Sequence, residues 1–232
     1  MNYKIIQDEQ ELNNFIDNIL PDLSKDECYY ISLFARKKYS RELIWSSDKS
    51  QLKRLTVSKK SDIIKKLKQL EVSDGCYTLG DRIAPQDSLV VYIHTNPRSQ
   101  LKAARTLAKK LMDIIVDNAS GFNVHQEALS AIQGSPGEKL YVDFDFDLND
   151  KSEIPILIGK IRQSININCC TFVETRGGVH CLVKLKEIEP EYKNSWYINI
   201  SKLGCDVNGD CMIPIPGTCQ GGFIPKVLNL IK

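Results

Sequence analysis

Tyr141-Val142-Asp143-Phe144-Asp145-Phe146-Asp147 alternates acidic and apolar side chains with a period of two. On a strand this places Asp143, Asp145 and Asp147 on one face and Val142, Phe144 and Phe146 on the other. The apolar set belongs in a core, so the carboxylates ride on rigid backbone rather than on a loop. Three acids in line repel one another, which makes the face costly unless cations compensate it. A paired carboxylate strand suits two divalent ions about 3.5–4 Å apart and phosphoryl chemistry. Asp143 and Asp145 are the best pair, and Asp147 is an auxiliary ligand near the strand end. The competing reading is a merely solvated sheet face.

The surrounding sequence reads as helices and strands in an α+β order. Leu12, Phe15, Ile16 and Ile19 trace an amphipathic helix that stops near Pro21, and residues 29–34 form a strand. That strand leads into Arg36-Lys37-Lys38, where a phosphate could dock or which could be a solvated turn. Residues 58–70 predict a helix, and 89–95 an apolar strand ending in His94-Thr95-Asn96-Pro97-Arg98. From Ser99 a long helix is expected to bury Leu101, Ala104, Ala108, Leu111 and Ile115. Beside that stripe, Arg98, Lys102, Arg105 and Lys109 form a basic one, read as a wet face or a template contact. Residues 123–138 look like a largely polar connection, either bare or carrying a short helix. After the acidic strand come a helix over 153–165 and two strands, 170–174 and 179–185, joined by Thr175-Arg176-Gly177-Gly178. Strand, helix, strand, turn, strand is a compact unit resembling an RRM-like sheet.

Two further segments carry chemistry. In Thr175-Arg176-Gly177-Gly178-Val179-His180 the glycines permit close approach to a ligand and Thr175 and Arg176 add donors. His180 is either a satisfied core residue or a phosphate donor. In Asp206-Val207-Asn208-Gly209-Asp210, one acid could complete a metal site; the run is too short for a calcium loop and lacks its late Glu. The turn at Pro216-Gly217 then presents Thr218, Gln220 and Lys226, the last a candidate phosphate contact.

Composition sets limits. With 232 residues, 42% hydrophobic, the chain can bury a core as one domain or two small lobes. Thirty-one Lys and Arg against 29 Asp and Glu leave a formal charge of +2, so nucleic-acid binding would have to come from local patches. Eight cysteines without a CxxC pair, no readable targeting signal and no long apolar run point to a reducing, cytoplasmic setting without a membrane. Cys169, Cys170, Cys181, Cys205, Cys211 and Cys219 fit no common zinc spacing, so structural zinc is not expected.

An acidic hDhD strand, a glycine turn ending in His, an isolated Asp and a Pro-Gly-Thr turn together resemble the archaeo-eukaryotic primase superfamily, especially the primase-polymerases of plasmids, phages and CRISPR-associated loci. The likeness spans residues 29–226. It implies an α+β primase-polymerase core over 1–232, with an N-terminal αβ module (1–88) packed on an RRM-like mixed sheet (89–232). It also implies template-directed DNA primase and polymerase activity, with Asp143, Asp145 and Asp206 holding two Mg2+ or Mn2+ ions and Asp210 in reserve. His180 with Thr175 or Arg176 and Gly177 would contact the triphosphate of a dNTP or NTP. Arg36, Lys37, Asn96, Arg98 and Lys226 are further candidates for the nucleotide cleft, and Tyr39, Tyr77 and Tyr92 for base or sugar contacts. The implied partners are single-stranded or primed DNA and accessory, helicase or CRISPR-associated proteins. Where the family often has an arginine before the Pro-Gly turn, this chain has Ile213-Pro214-Ile215. No helicase domain follows Lys232, so an excised core or a minimal enzyme is expected. The rivals are a metal-dependent nuclease and a non-catalytic RRM-like module, which would instead show stacking aromatics. A rolling-circle initiator would need paired histidines, whereas His94, His125 and His180 are isolated in sequence.

Overall fold

The computed structural model describes residues 1–43, 47–117, 121–208, 210 and 212–229. The first part of the chain forms α1 (Glu9–Asn18), β1 (Glu27–Arg36), β2 (Lys49–Val57), α2 (Ile63–Lys68), β3 (Thr78–Leu79), β4 (Arg82–Ile83), β5 (Leu89–His94) and β6 (Arg98–Ser99). Then come α3 (Gln100–Asp117), α4 (Val124–Gln133), β7 (Tyr141–Asp147), α5 (Ile154–Arg162), β8 (Cys170–Glu174) and β9 (Gly178–Lys184). The last elements are α6 (Trp196–Ser201), β10 (Asp206–Asn208), β11 (Met212–Pro214) and β12 (Lys226–Val227). The protein is α+β, and the strands form two principal sheets.

The first sheet runs β11-β5-β1-β2, with β6 also on β1; the second runs β10-β7-β9-β8-β12. Every pairing in both is antiparallel, not mixed as expected. The reason lies in β9, which inserts between β7 and β8 and separates the two strands that α5 connects, a split β-α-β arrangement. The sheets do not divide at residue 88. β5, expected to open the second module, is an interior strand of the first sheet, and β11 returns from the far end of the sequence to pair with it.

One face of the first sheet buries Tyr29, Ile31, Leu33, Leu89, Val91 and Ile93 with Leu12 and Phe15 of α1 and Ile63 and Leu67 of α2. α1 starts where Asp8 accepts hydrogen bonds from the Gln10 and Glu11 amides. The opposite face carries Arg36, Phe34 and Tyr92 toward the second sheet. In that second sheet Val142, Phe144 and Phe146 pack with Phe172, Val179 and Cys181 beneath α5 and α6, as the alternation requires. Pro155 occupies the first turn of α5, where its missing N–H costs nothing.

Two glycines are required by close approach. A Cβ on Gly178 would overlap the carbonyl oxygen of Phe146. Gly217 has φ +80° and faces the backbone of Asp8 and Leu12. α3 departs from expectation: Ala103 is its buried residue, whereas Leu101 and Ile115 are 51% and 70% exposed. α3 instead leans on α4, a ten-residue helix that fills most of the stretch read as a connection carrying a short helix. No helix among the described residues is long and apolar enough to cross a membrane.

Candidate active site

The strand register assembles the acids. Asp145 lies opposite Asp206 on β10 and opposite His180 on β9, so one row crosses three strands as Asp206, Asp145, His180. Asp143 shares this face two residues along β7. It is 2% exposed, and His180 Nδ1 donates to both of its oxygens at 3.0 Å. The other ring nitrogen, Nε2, stands 3.5 Å from Asp145 Oδ1, so the imidazole bridges the two carboxylates.

The electrostatics follow from this packing. Burial acts to lower the His180 pKa, but the charges of Asp143, then Asp145 and Asp147, outweigh it and hold the imidazole above its ordinary value. For Asp145, burial is the main cause of a raised pKa; His180 and Lys38 pull it down, while Asp143 and Asp147 push it up. The acids thus form a concentration of negative charge that favours the protonated form of the imidazole between them.

The row opens into a cleft of about 470 Å³ between the sheets. Asp145, Asp147, Asp206, His180, Thr175 and Gly177 line its second-sheet wall, and Arg36, Lys38, Tyr39, Lys49 and Tyr92 line the facing one. Arg36 is braced by Tyr92 Oη at 2.8 Å and by Asp48 at 3.1 Å. Its Nε is buried without an acceptor among the described residues. Gln220 donates to Tyr39 Oη at 2.9 Å and accepts from the Arg176 amide at 2.8 Å, which ties the glycine turn to the basic wall. The chain matches no protein-family model, no curated protein and no solved structure.

Several residues expected at the site are elsewhere. Lys37 is exposed and does not line the cleft; Lys38, its neighbour, does. Asn96 is a structural bridge: its amide oxygen accepts from the Leu140 and Tyr141 amides, and its Nδ2 donates to the Tyr141 carbonyl. Arg98 is 1% exposed and donates to Asp210 at 2.6 Å and to His94 Nδ1 at 2.5 Å. Asp210, the reserve ligand, lines the cleft but is held by this arginine, whereas Asp206 faces Asp145 directly. Arg176 donates to the Gly221 carbonyl and stacks over Tyr39, and Lys226 pairs with Glu174 at 3.4 Å. Tyr77 is a core residue whose hydroxyl donates to Leu70. The amide of Arg176 in the glycine turn is taken by Gln220, and Gly178 serves strand packing rather than ligand approach. Gly209 and Cys211 lie outside the described residues.

Sequence reasoning missed Lys49 and gave Gln220 no defined contact. Lys49 sits on β2 opposite Arg36, and its ammonium lies 4.6 Å from the ring centres of both Phe34 and Tyr92. Its signal was the alternation of Lys49, Gln51 and Lys53, which looks like any solvated strand edge.

In kind, the donors suit a hard divalent cation: carboxylates on adjacent strands, oxygen only, fixed on one face. Among the described residues no three acidic, His or Cys side chains converge as they stand in ligating geometry. Asp143 and Asp145 turn toward His180. A carboxylate has about four lone-pair positions, so accepting from His180 leaves each able to ligate as well.

Proposed function

We propose that this protein is a template-directed nucleotidyltransferase of the primase-polymerase kind, joining the 3′-hydroxyl of a primer or first nucleotide to the α-phosphate of a nucleoside triphosphate with release of pyrophosphate. The observation that carries the reading is the Asp206, Asp145, His180 row facing Arg36, Lys38 and Lys49 across one cleft. An acidic wall opposite a cationic one is what a triphosphate with divalent counter-ions demands.

Asp143, Asp145 and Asp206 are the residues that would hold magnesium or manganese. Two such ions, when bound, lower the pKa of the attacking hydroxyl and neutralise the phosphoryl oxygens. His180, held by Asp143, presents Nε2 toward Asp145 and the cleft, where an imidazolium can donate to a phosphate oxygen. Arg36, Lys38 and Lys49 take the charge of the triphosphate tail, and Tyr39 and Tyr92 flank the space beside them. The template is single-stranded or primed DNA. The acidic face of β7 and β9 offers carboxylates and a histidine where a pure binding module would offer stacking aromatics.

Extension of a labelled primer, and synthesis without one, measured with dNTPs and NTPs in Mg2+ and Mn2+, tests the reading. Incorporation that disappears in Asp145→Ala supports it. Folded, metal-replete protein that incorporates nothing under any combination refutes it, and cleavage of the labelled strand instead would assign a nuclease.

A further inference from the structure

α3 is patterned for burial on a face that the fold leaves in water. Leu101, Ala104, Ala108, Met112 and Ile115 recur at spacings of three, four, four and three, a single stripe along about 21 Å of helix. Leu101, Met112 and Ile115 are 51%, 60% and 70% exposed, and both alanines are exposed as well. Ala103, Leu107, Leu111 and Ile114 take the inward side of the helix instead. Of the eleven large apolar residues exposed among the described ones, four lie on this helix, counting Val116 at the end of the stripe. The exposure is therefore concentrated rather than scattered, which marks an interaction face.

The shape and charge of the stripe indicate what covers it. At about 100° per residue its five positions span an arc of about 80°, the width of a helix–helix seam and narrower than a core-facing side. Ala104 and Ala108 keep the middle of the seam low, which lets a second helix approach closely, while Leu101, Met112 and Ile115 stand up toward its two ends. Arg105 and Lys109 run along one edge, exposed and with no ion-pair partner among the described residues. Asp113, an exposed acid farther along that edge, pairs with neither. The opposite edge, through Leu107 and Leu111, is uncharged.

We propose that this face of α3 docks one amphipathic α-helix of another polypeptide, its apolar side on Leu101, Met112 and Ile115 and its acidic residues along the Arg105 and Lys109 edge. A second copy of this chain fits less well. Paired antiparallel about a twofold axis, two copies of α3 would lay the Arg105 and Lys109 edge against itself. Paired parallel, they would lay it against the uncharged Leu107 and Leu111 edge, so neither arrangement answers the cations. A membrane surface also fits less well. A helix lying in lipid carries bulky or aromatic residues along its apolar side, where this one has two alanines at the centre, and its cations cover a whole polar face rather than one edge. The docking is independent of the chemistry in the cleft, which no α3 residue lines.

The test is anisotropy of a fluorescein-labelled synthetic helix of about five turns added to the full chain, with leucine and alanine along its seam and glutamate on both flanks. A second probe replaces every glutamate by lysine. The glutamate probe should bind about tenfold more tightly than the lysine probe at low salt and lose that advantage near about 1 M salt, where charges are screened beyond about 3 Å. Ile115→Glu should abolish binding of the glutamate probe. Exchanging Arg105→Glu and Lys109→Glu together should weaken the glutamate probe about tenfold and strengthen the lysine probe. Lys65→Glu on α2 should behave as wild type, and circular dichroism should show every variant folded, since all four side chains are exposed. No binding of the glutamate probe, equal binding of the two probes, or a charge exchange that leaves the preference unchanged overturns the proposal. Sedimentation showing a dimer that Ile115→Glu dissolves would give the face to a second copy instead, and binding to phosphatidylserine vesicles that Ile115→Glu removes would give it to a membrane.

Discussion

Replacing Asn96 by Ala should cost the protein about 3–5 kcal/mol of stability, because three hydrogen bonds to backbone groups at the start of β7 and a longer one to Asp210 are lost. Asn96 is 2% exposed and lies between β5 and β6 of the first sheet, while its partners open β7 of the second. Its Oδ1 accepts from the Leu140 and Tyr141 amides at 2.8 Å each, and its Nδ2 donates to the Tyr141 carbonyl at 3.0 Å. Alanine supplies none of these, and each orphaned backbone group costs roughly 1–3 kcal/mol when water cannot reach it. Asn96→Asp keeps the acceptor but sets a carboxylate against a carbonyl, so about 2 kcal/mol should be lost. Urea unfolding at fixed protein concentration reads both, and for a chain of this size the alanine variant should melt about 10 °C lower. A loss below about 1 kcal/mol would refute the staple, and a normal melt combined with weakened nucleotide affinity would return Asn96 to the ligand role expected from sequence.

Gly178→Ala should fail to accumulate as folded protein or lose more than about 3 kcal/mol, because its Cβ overlaps Phe146 in the adjoining strand; thermal denaturation decides. Asp206→Asn should reduce nucleotide incorporation at least about 100-fold while Asp210→Asn, whose partner is Arg98, loses less than about tenfold and melts earlier. In EDTA, the raised His180 pKa makes its contribution to stability complete below its unfolded value near 6.5, then lost as pH rises through the higher folded value. The raised Asp145 pKa has the same sign at lower pH, since the unfolded carboxyl ionises first, from 3.8 upward. The urea midpoint should therefore fall as the pH rises above about 6.5, and fall less in His180→Gln.

The acidic row was legible because strand alternation is local: once residues 141–147 are a strand, three carboxylates share a face whatever surrounds them. The helices with one apolar arc, α1 and α5, were legible for the same reason. Partners of strands were not. That β9 inserts between β7 and β8, or that β11 joins β5 across more than a hundred residues, depends on contacts no local pattern encodes. In α3 the apolar residues occupy two neighbouring arcs, one through Leu101, Ala104 and Ala108 and one through Ala103, Leu107 and Leu111. Periodicity alone does not choose between them, and the second is the one turned inward. The basic wall was read one residue out of phase at Lys37 and without Lys49, since a lysine's role depends on which sheet it faces. Asn96 and Arg98 were taken for ligand contacts because polar residues at a strand end look alike whether they meet a phosphate or a buried backbone.

The most direct test of the acidic site is an Mn2+ titration followed by electron paramagnetic resonance, with and without a nucleoside triphosphate. Wild type should bind manganese, and bind it more tightly when the triphosphate is present, while Asp145→Asn and Asp206→Asn each lose that tightening. Manganese binding that is absent in wild type, or unchanged in both variants, would contradict the account.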